Sequence, residues 1–228
     1  MHLQYVSITG ADDAVDIAAL NDIANAYPFV EFALLLMPER MGENRFPTMS
    51  WIEDFKANYW GAHKAMHLCG SGFLGFVKGE KAILNMMDGF NRIQLNLKFG
   101  DVDGQYEDEQ LLARIRENPA WEFIIQYTPD KVHLLAPLAE ISNHAVLFDA
   151  SAGRGVSPDE WPAPLPGHFC GYAGGLSPEN IANNLARIAQ ATDDIPTWID
   201  MESGVRTDDR FDLEKIKEVL ENCRSRIS

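Results

Sequence analysis

Phe169-Cys170-Gly171-Tyr172-Ala173-Gly174-Gly175-Leu176-Ser177-Pro178-Glu179-Asn180 reads as a complete βα junction. A short apolar run, Phe169–Ala173, is a strand in this reading. Two glycines follow and let the backbone turn sharply and approach a ligand closely. Ser177 then reads as a helix N-cap, with Pro178 at the first helical position. Seven more runs of this kind can be marked along the chain: Gln4–Thr9, Val30–Leu36, Ala65–Cys69, Arg92–Lys98, Glu122–Gln126, Ala145–Asp149 and Thr197–Met201. Their spacing is that of successive βα units. Helical apolar spacing falls between them, over Asp12–Ala26, Leu111–Arg116, Val132–Ile141, Ile181–Ala191 and Leu213–Leu220. Alternation of this sort suits either a doubly wound sheet or a closed barrel, and the count of eight favours an α/β TIM barrel, (β/α)8, as one domain over residues 1–228. The proline-rich stretch 157–167 reads as a rigid loop or short helix after the sixth strand, not as a linker.

Composition narrows the partners. The 228 residues carry 19 Lys and Arg against 34 Asp and Glu, for a net charge of −15. Such a balance argues against nucleic acid and against an anionic membrane surface. It leaves room for a small phosphorylated or carboxylated metabolite, because backbone amides and helix N-termini hold phosphate locally. Cys69, Cys170 and Cys223 form no Cys-x-x-Cys pair, which fits a reducing, cytoplasmic setting. No signal-peptide pattern opens the chain, and the most apolar run, Phe29–Met37, is short and contains Glu31.

In a (β/α)8 barrel the chemistry sits at the C-terminal ends of the strands. Those ends carry Thr9, Cys69, Asn96, Lys98, Gln126, Asp149, the Gly174-Gly175 turn and the stretch Asp200–Arg206. In the fourth strand Gln94, Asn96 and Lys98 alternate with leucines, so they face the barrel interior or its mouth. Asp149 can serve as an acid or base if burial raises its pKa. Gly174-Gly175 next to a helix start, with Ser203-Gly204 after the last strand, supplies the ingredients of an anion site. His63, His67 and Cys69 have metal-ligand side chains but straddle a predicted loop and strand, so a structural role is preferred and no metal is expected. Asp12-Asp13 and Asp193-Asp194 read as helix-end or solvated charges.

These strand-end motifs resemble those of the phosphoribosylanthranilate isomerase family. Gly174-Gly175-Leu176-Ser177-Pro178-Glu179-Asn180 is similar to the family's Gly-Gly-Leu-x-Pro-Glu-Asn, and Asp200-Met201-Glu202-Ser203-Gly204-Val205 to its Asp-Val-Ser-Ser-Gly-Val. Phe148-Asp149 stands where the family has its general-acid aspartate. Gly153-Arg154-Gly155 and Trp161 echo the turn and tryptophan that follow it. Asn44-Arg45-Phe46 resembles the segment whose arginine binds the anthranilate carboxylate. The specific likeness covers about the last third of the chain.

The resemblance implies an isomerase performing an Amadori rearrangement in tryptophan biosynthesis, without a cofactor. Phosphate would lie at Gly174, Gly175, Ser203 and Gly204. Arg45, Asn96, Lys98, Arg154, Asp200 and Glu202 would surround the rest of the substrate. Three departures stand out. Ser7-Ile8-Thr9-Gly10 places Thr9 where the family has its general-base cysteine, and a threonine hydroxyl has no thiolate-like state near neutral pH. Asn96 replaces the strand-four histidine. Glu202 replaces the first serine of the phosphate loop, where it would repel a phosphate unless a cation such as Lys98 or Arg154 compensates it. Two alternatives remain open at this stage: a barrel enzyme of different chemistry using Lys98 or Glu202, and a non-catalytic phosphosugar-binding relative.

Overall fold

The computed structural model describes residues 2–97, 102, 104–127, 129–149, 157–193 and 195–227. Eight parallel strands close into a barrel in sequence order: β1 (Leu3–Thr9), β2 (Val30–Leu36), β3 (His63–Leu68), β4 (Arg92–Leu95), β5 (Glu122–Tyr127), β6 (His144–Asp149), β7 (Cys170–Ala173) and β8 (Thr197–Met201). Around them lie α1 (Ile17–Ala26), α2 (Met49–Asn58), α3 (Gly70–Lys78), α4 (Lys81–Met87), α5 (Asp108–Glu117), α6 (Leu135–Ala139), α7 (Ile181–Thr192) and α8 (Leu213–Cys223). The expected barrel is therefore present, and every expected strand falls on an observed one.

Several boundaries differ from the sequence reading. The fourth strand stops at Leu95 rather than Lys98: the Asn96 amide still bonds the Leu68 carbonyl at 3.1 Å, and the chain turns at Leu97. Lys98 and the Gly153-Arg154-Gly155 turn lie outside the described residues. Helix α1 begins at Ile17, not at Asp12, because Asp12 and Asp16 each bond the backbone two residues on, at 3.1 and 3.0 Å. That local bonding competes with helix and sets Asp16 as the cap. In the Val132–Ile141 region a 3-10 turn, Pro129–Leu134, precedes the short α6. Helix α7 starts at Ile181 with Asn180 as its cap residue. Ser177 nevertheless opens that turn, its carbonyl accepting from the amides of Asn180 and Ile181 at 3.1 and 2.9 Å. The described part of the β6–β7 connection, residues 157–169, holds no helix. It is tied down by Trp161, whose indole N–H donates to Asn184 at 3.2 Å, and by the Tyr172 hydroxyl, which donates to the Pro162 carbonyl at 2.9 Å.

Period-two alternation divides the strands into two sets. Val6, Ile8, Phe32, Leu34, Met66, Ile93, Phe123, Val146, Tyr172 and Ile199 pack with the helices in the main core. The alternate positions face inward, in one parallel register: Glu31 pairs with His63, Ala65 with Arg92, Arg92 with Glu122, and Tyr5 with Trp198. The interior is thus filled partly by apolar side chains, including Ile124, Ala145, Leu147 and Trp198, and partly by a buried ion cluster. Arg92 donates to Glu31 at 2.9 Å and to Glu122 at 2.7 Å, and Ser7 adds a 2.6 Å bond to Glu31. Its guanidinium lies over the rings of Trp198 and Tyr5, 4.4 and 4.9 Å from their centroids. Gly171 leaves the space that the Trp198 indole fills, since a Cβ there would collide with it.

Removing one member of a buried ion pair leaves its partner charged and unpaired, which costs about 3–5 kcal/mol. Arg92→Met should lower unfolding stability by that order in urea titrations. Adding Glu31→Gln should return part of the loss, because the stranded charge is then gone.

Candidate active site

At the mouth, the inward positions end in Thr9 of β1, Leu35 of β2, Cys69 after β3, Asn96 after β4, Gln126 of β5, Asp149 of β6 and Asp200 of β8. The register aligns Asp149 with Ala173 and Ala173 with Asp200, so the two carboxylates face inward at one level, with a single small side chain between their strands. Thr9 comes up from the neighbouring β1, whose Ser7 pairs with Asp200. Its hydroxyl donates to the Asp200 carboxylate at 2.6 Å, and both residues are buried. Burial is the largest influence on Asp200 and pushes its pKa up to about 7; Glu202, Glu31 and Asp149 push in the same direction, and the Thr9 hydrogen bond pulls back. Asp149 is half-buried and accepts a 2.8 Å bond from the Gln126 amide.

A cysteine is also present, on the opposite side of the mouth. Asn96 donates to the Cys69 sulfur at 3.0 Å and accepts from Gln94 at 2.7 Å. Burial pushes this thiol up to about 12, so it remains protonated and is no substitute for a thiolate base. His63 and His67 lie together on β3, contrary to the expected loop and strand. Their inward positions are four residues apart, roughly 13 Å along a strand, too far to share an ion. Burial brings the His67 pKa down to about 3, so it packs as a neutral ring.

The loops above β1, β2 and β8 are joined by charge. Arg45 donates from Nη1 to Glu202 at 2.5 Å and to Ser203 at 3.2 Å, and from Nε to Asp209 at 2.8 Å; its Nη2 lies 2.6 Å from the same Asp209 oxygen. Glu202 is thus met by Arg45, while Lys98 and Arg154, offered from the sequence for that part, lie outside the described residues. Asp12, read from sequence as a solvated charge, is buried. It accepts from the Arg45 amide at 2.8 Å and from the Arg206 guanidinium at 2.9 Å. Arg206 also donates to the carbonyl of Gly10 at 2.6 Å, locking the β8 loop onto the end of β1. Of these site residues the sequence reading passed over Asp209, gave Cys69 and Arg206 a place at the strand ends without a role, and took Asp12 for a helix-end or solvated charge. Asp208-Asp209, both at positive φ in the tight turn between Arg206–Thr207 and Arg210–Phe211, carried the hairpin signal that would have drawn attention to Asp209.

On the other side, Gly174 and Gly175 adopt φ of +134° and +59°, which L side chains rarely reach. Asn180 fixes this turn by donating to the Gly175 carbonyl at 2.7 Å and accepting from the Ser177 amide at 3.0 Å. Gly204 sits in the short 3-10 turn Ser203–Val205, directly against the Leu176 carbonyl, with no space for a Cβ. The two glycine turns are therefore in contact. A cavity of about 840 Å³ opens beside them, toward β2 and β3, with Leu35, Phe46, Cys69, Asn96, Arg45, Glu202 and Ser203 in its wall. It reaches the Ser203 turn, whereas Gly174, Gly175 and Asp149 do not line it.

Comparison with known proteins gives the same picture. Residues 96–222 match the model of the family described as N-(5′-phosphoribosyl)anthranilate (PRA) isomerase. Among solved structures, TrpF from Jonesia denitrificans is 19% identical over 98% of both chains, with a TM-score of 0.65. The phosphoribosylanthranilate isomerase of Thermotoga maritima, in a monomeric form, is 15% identical over 99% of this chain and 100% of that one, with a TM-score of 0.64. The N-(5′-phosphoribosyl)anthranilate isomerase of Pyrococcus furiosus is 13% identical over 97% and 99%, with a TM-score of 0.58. No curated protein sequence matches the chain. Among the described residues no helix is long and apolar enough to cross a membrane.

A carboxyl group whose folded pKa is raised contributes stability that is present below its unfolded value, near 3.8, and is lost as pH rises through about 7. Asp200→Asn removes that liability. Thermal unfolding followed from pH 4 to 8 should show the variant gaining on the wild type as pH rises, with the difference smallest at the acid end.

Proposed function

The chain belongs to the N-(5′-phosphoribosyl)anthranilate isomerase family, and on that premise we propose that it isomerises a phosphoribosyl-linked amine, with Asp149 as general acid and Asp200, oriented by Thr9, as general base. The observation that carries this reading is the pair of inward carboxylates on β6 and β8, one of them buried, held by a threonine and with its pKa near 7.

Opening the sugar ring requires a proton on the ring oxygen as the C1–O bond breaks and the nitrogen lone pair forms C1=N. Asp149 supplies that proton in this reading. Asp200 then removes the proton from C2, the C–H electrons form C1=C2 and the C1=N pair returns to nitrogen, giving an enolamine. Protonation at C1 by Asp200, with the C2 hydroxyl proton passing back to the Asp149 carboxylate, gives the ketone and restores both groups. The net change moves hydrogen from C2 to C1, so the atoms balance without an external oxidant. The glycine turns at Gly174-Gly175 and Ser203-Gly204, which touch each other, are proposed to hold the phosphate through backbone N–H groups. The whole 228-residue chain acts as one barrel domain in this proposal. A cytoplasmic location belongs to it too, in keeping with three free, buried cysteines.

Two features lower the expected rate on N-(5′-phosphoribosyl)anthranilate itself: Thr9 in place of a cysteine, and an arginine already paired with Glu202. Wild-type turnover of that compound should be slow and should rise with pH through about 7 as Asp200 ionises. Asp149→Asn and Asp200→Asn should each reduce it by about 10²–10⁴-fold, the usual share of a positioned proton-transfer group. Thr9→Cys should increase it. No turnover by any variant, together with no binding of a reduced product analogue, would rule the assignment out. Binding without turnover throughout would favour a non-catalytic relative.

A further inference from the structure

We infer that Glu202 is a specificity residue, a tethered carboxylate seated on Arg45 that restricts the substrate to phosphoribosyl-type amines whose amine substituent bears no carboxylate at that point. This deepens the phosphoribosylamine reading above and rests on it. All three guanidinium nitrogens of Arg45 are engaged by carboxylates of the same chain, Nη1 by Glu202 and Nε and Nη2 by Asp209. The arginine is also fixed from behind. Its backbone lies at φ +74°, its amide is bonded to Asp12, and Asp12 is pinned by the buried Arg206. It therefore has little freedom to turn toward an incoming anion.

The pair is about a third exposed, so burial does not shut a ligand out. Competition does: an incoming carboxylate must displace one that is covalently held beside its partner at high effective concentration. If Glu202 swings away, it leaves Arg45 for a rim where Glu43 is already matched by Arg40, and Asp209 by Arg45 and Arg206, so the loss of its own partner opposes the exchange. The neighbouring wall packs Leu35, Phe46 and Cys69 as one cluster beside the neutral Asn96, and the cation over it, Arg40, lies 4.2 Å from the Phe46 ring centroid and is already paired with Glu43. A flat, uncharged substituent suits that surface.

The test uses two reduced product analogues, N-aryl-1-amino-1-deoxyribitol 5-phosphates bearing either a 2-carboxyphenyl or a 2-carboxamidophenyl group. Calorimetric titration of the wild type should show the carboxamide binding at least about tenfold more tightly, a difference of about 1.4 kcal/mol. Glu202→Ser and Glu202→Gln should both gain affinity for the carboxylate analogue and reverse or erase the preference. Retained carboxamide binding in those variants shows an intact pocket. If the wild type binds the carboxylate analogue as tightly as Glu202→Ser does, the inference is overturned while the phosphosugar reading survives. If neither analogue nor ribose 5-phosphate binds any of the proteins, both readings are overturned.

Discussion

Parallel pairing of β8 with β1, which sets Ser7 opposite Asp200 and closes the barrel, is the constraint on which the rest of the molecule depends. Side chains alternate with period two, so a slip of one residue at that seam would send Asp200 and Thr9 outward into the helix layer and bring Ile8 and Met201 inside. The seam is held from within by bulk and charge. Trp198 and Tyr5 are register partners across it, and the Arg92 guanidinium lies over both rings and pairs with Glu31 and Glu122. Above this floor, Arg206 ties the β8 loop to the carbonyl of Gly10 and to Asp12. The Thr9–Asp200 contact is thus gripped from both ends of the strand pair, which is what an acid–base group needs if its geometry is to persist between turnovers.

Strand positions were legible because each run is short, apolar and bounded by turn residues, and the mouth residues followed from counting alternate positions. Helix α3 was not legible. Gly70, Gly72 and Gly75 are poor helix formers. They are there for close approach, since a Cβ on Gly72 would lie 2.7 Å from the Leu36 carbonyl. Helix α2 was hidden by polar residues between its buried Ile52 and Phe55. The likeness of the last third of the chain to a known family supplied Asp149 and the glycine turns. It also gave Arg45 to the substrate, and only coordinates could show the side chain committed to Glu202 and Asp209, 157 and 164 positions away. Long-range charge pairs leave no local pattern to read. Asp12 was misjudged for the same reason: next to Asp13 it resembles a solvated pair, and its burial depends on an arginine 194 residues further along.

The mouth keeps some of its family's features and replaces others. The glycine turns and the β6 aspartate remain. The strand-one sulfur is gone, and the one cysteine at the mouth, Cys69, is buried as a thiol. In the proposed reaction Asp200 takes the part of the base, since burial and neighbouring carboxylates bring its pKa into the range where a base is effective at neutral pH. Glu202 occupies Arg45, the arginine that the proposed substrate site would otherwise offer to an acidic group.

Burial raises the Asp200 pKa to about 7, and the Thr9 hydrogen bond holds it from rising further. Carbon-13 NMR of selectively labelled aspartate carboxyls, assigned by Asp200→Asn, measures this directly. The account predicts a midpoint near 7 in the wild type. In Thr9→Val the midpoint should be higher, since the hydrogen bond that favours the carboxylate is removed. A wild-type midpoint near 4, unchanged in Thr9→Val, would contradict it.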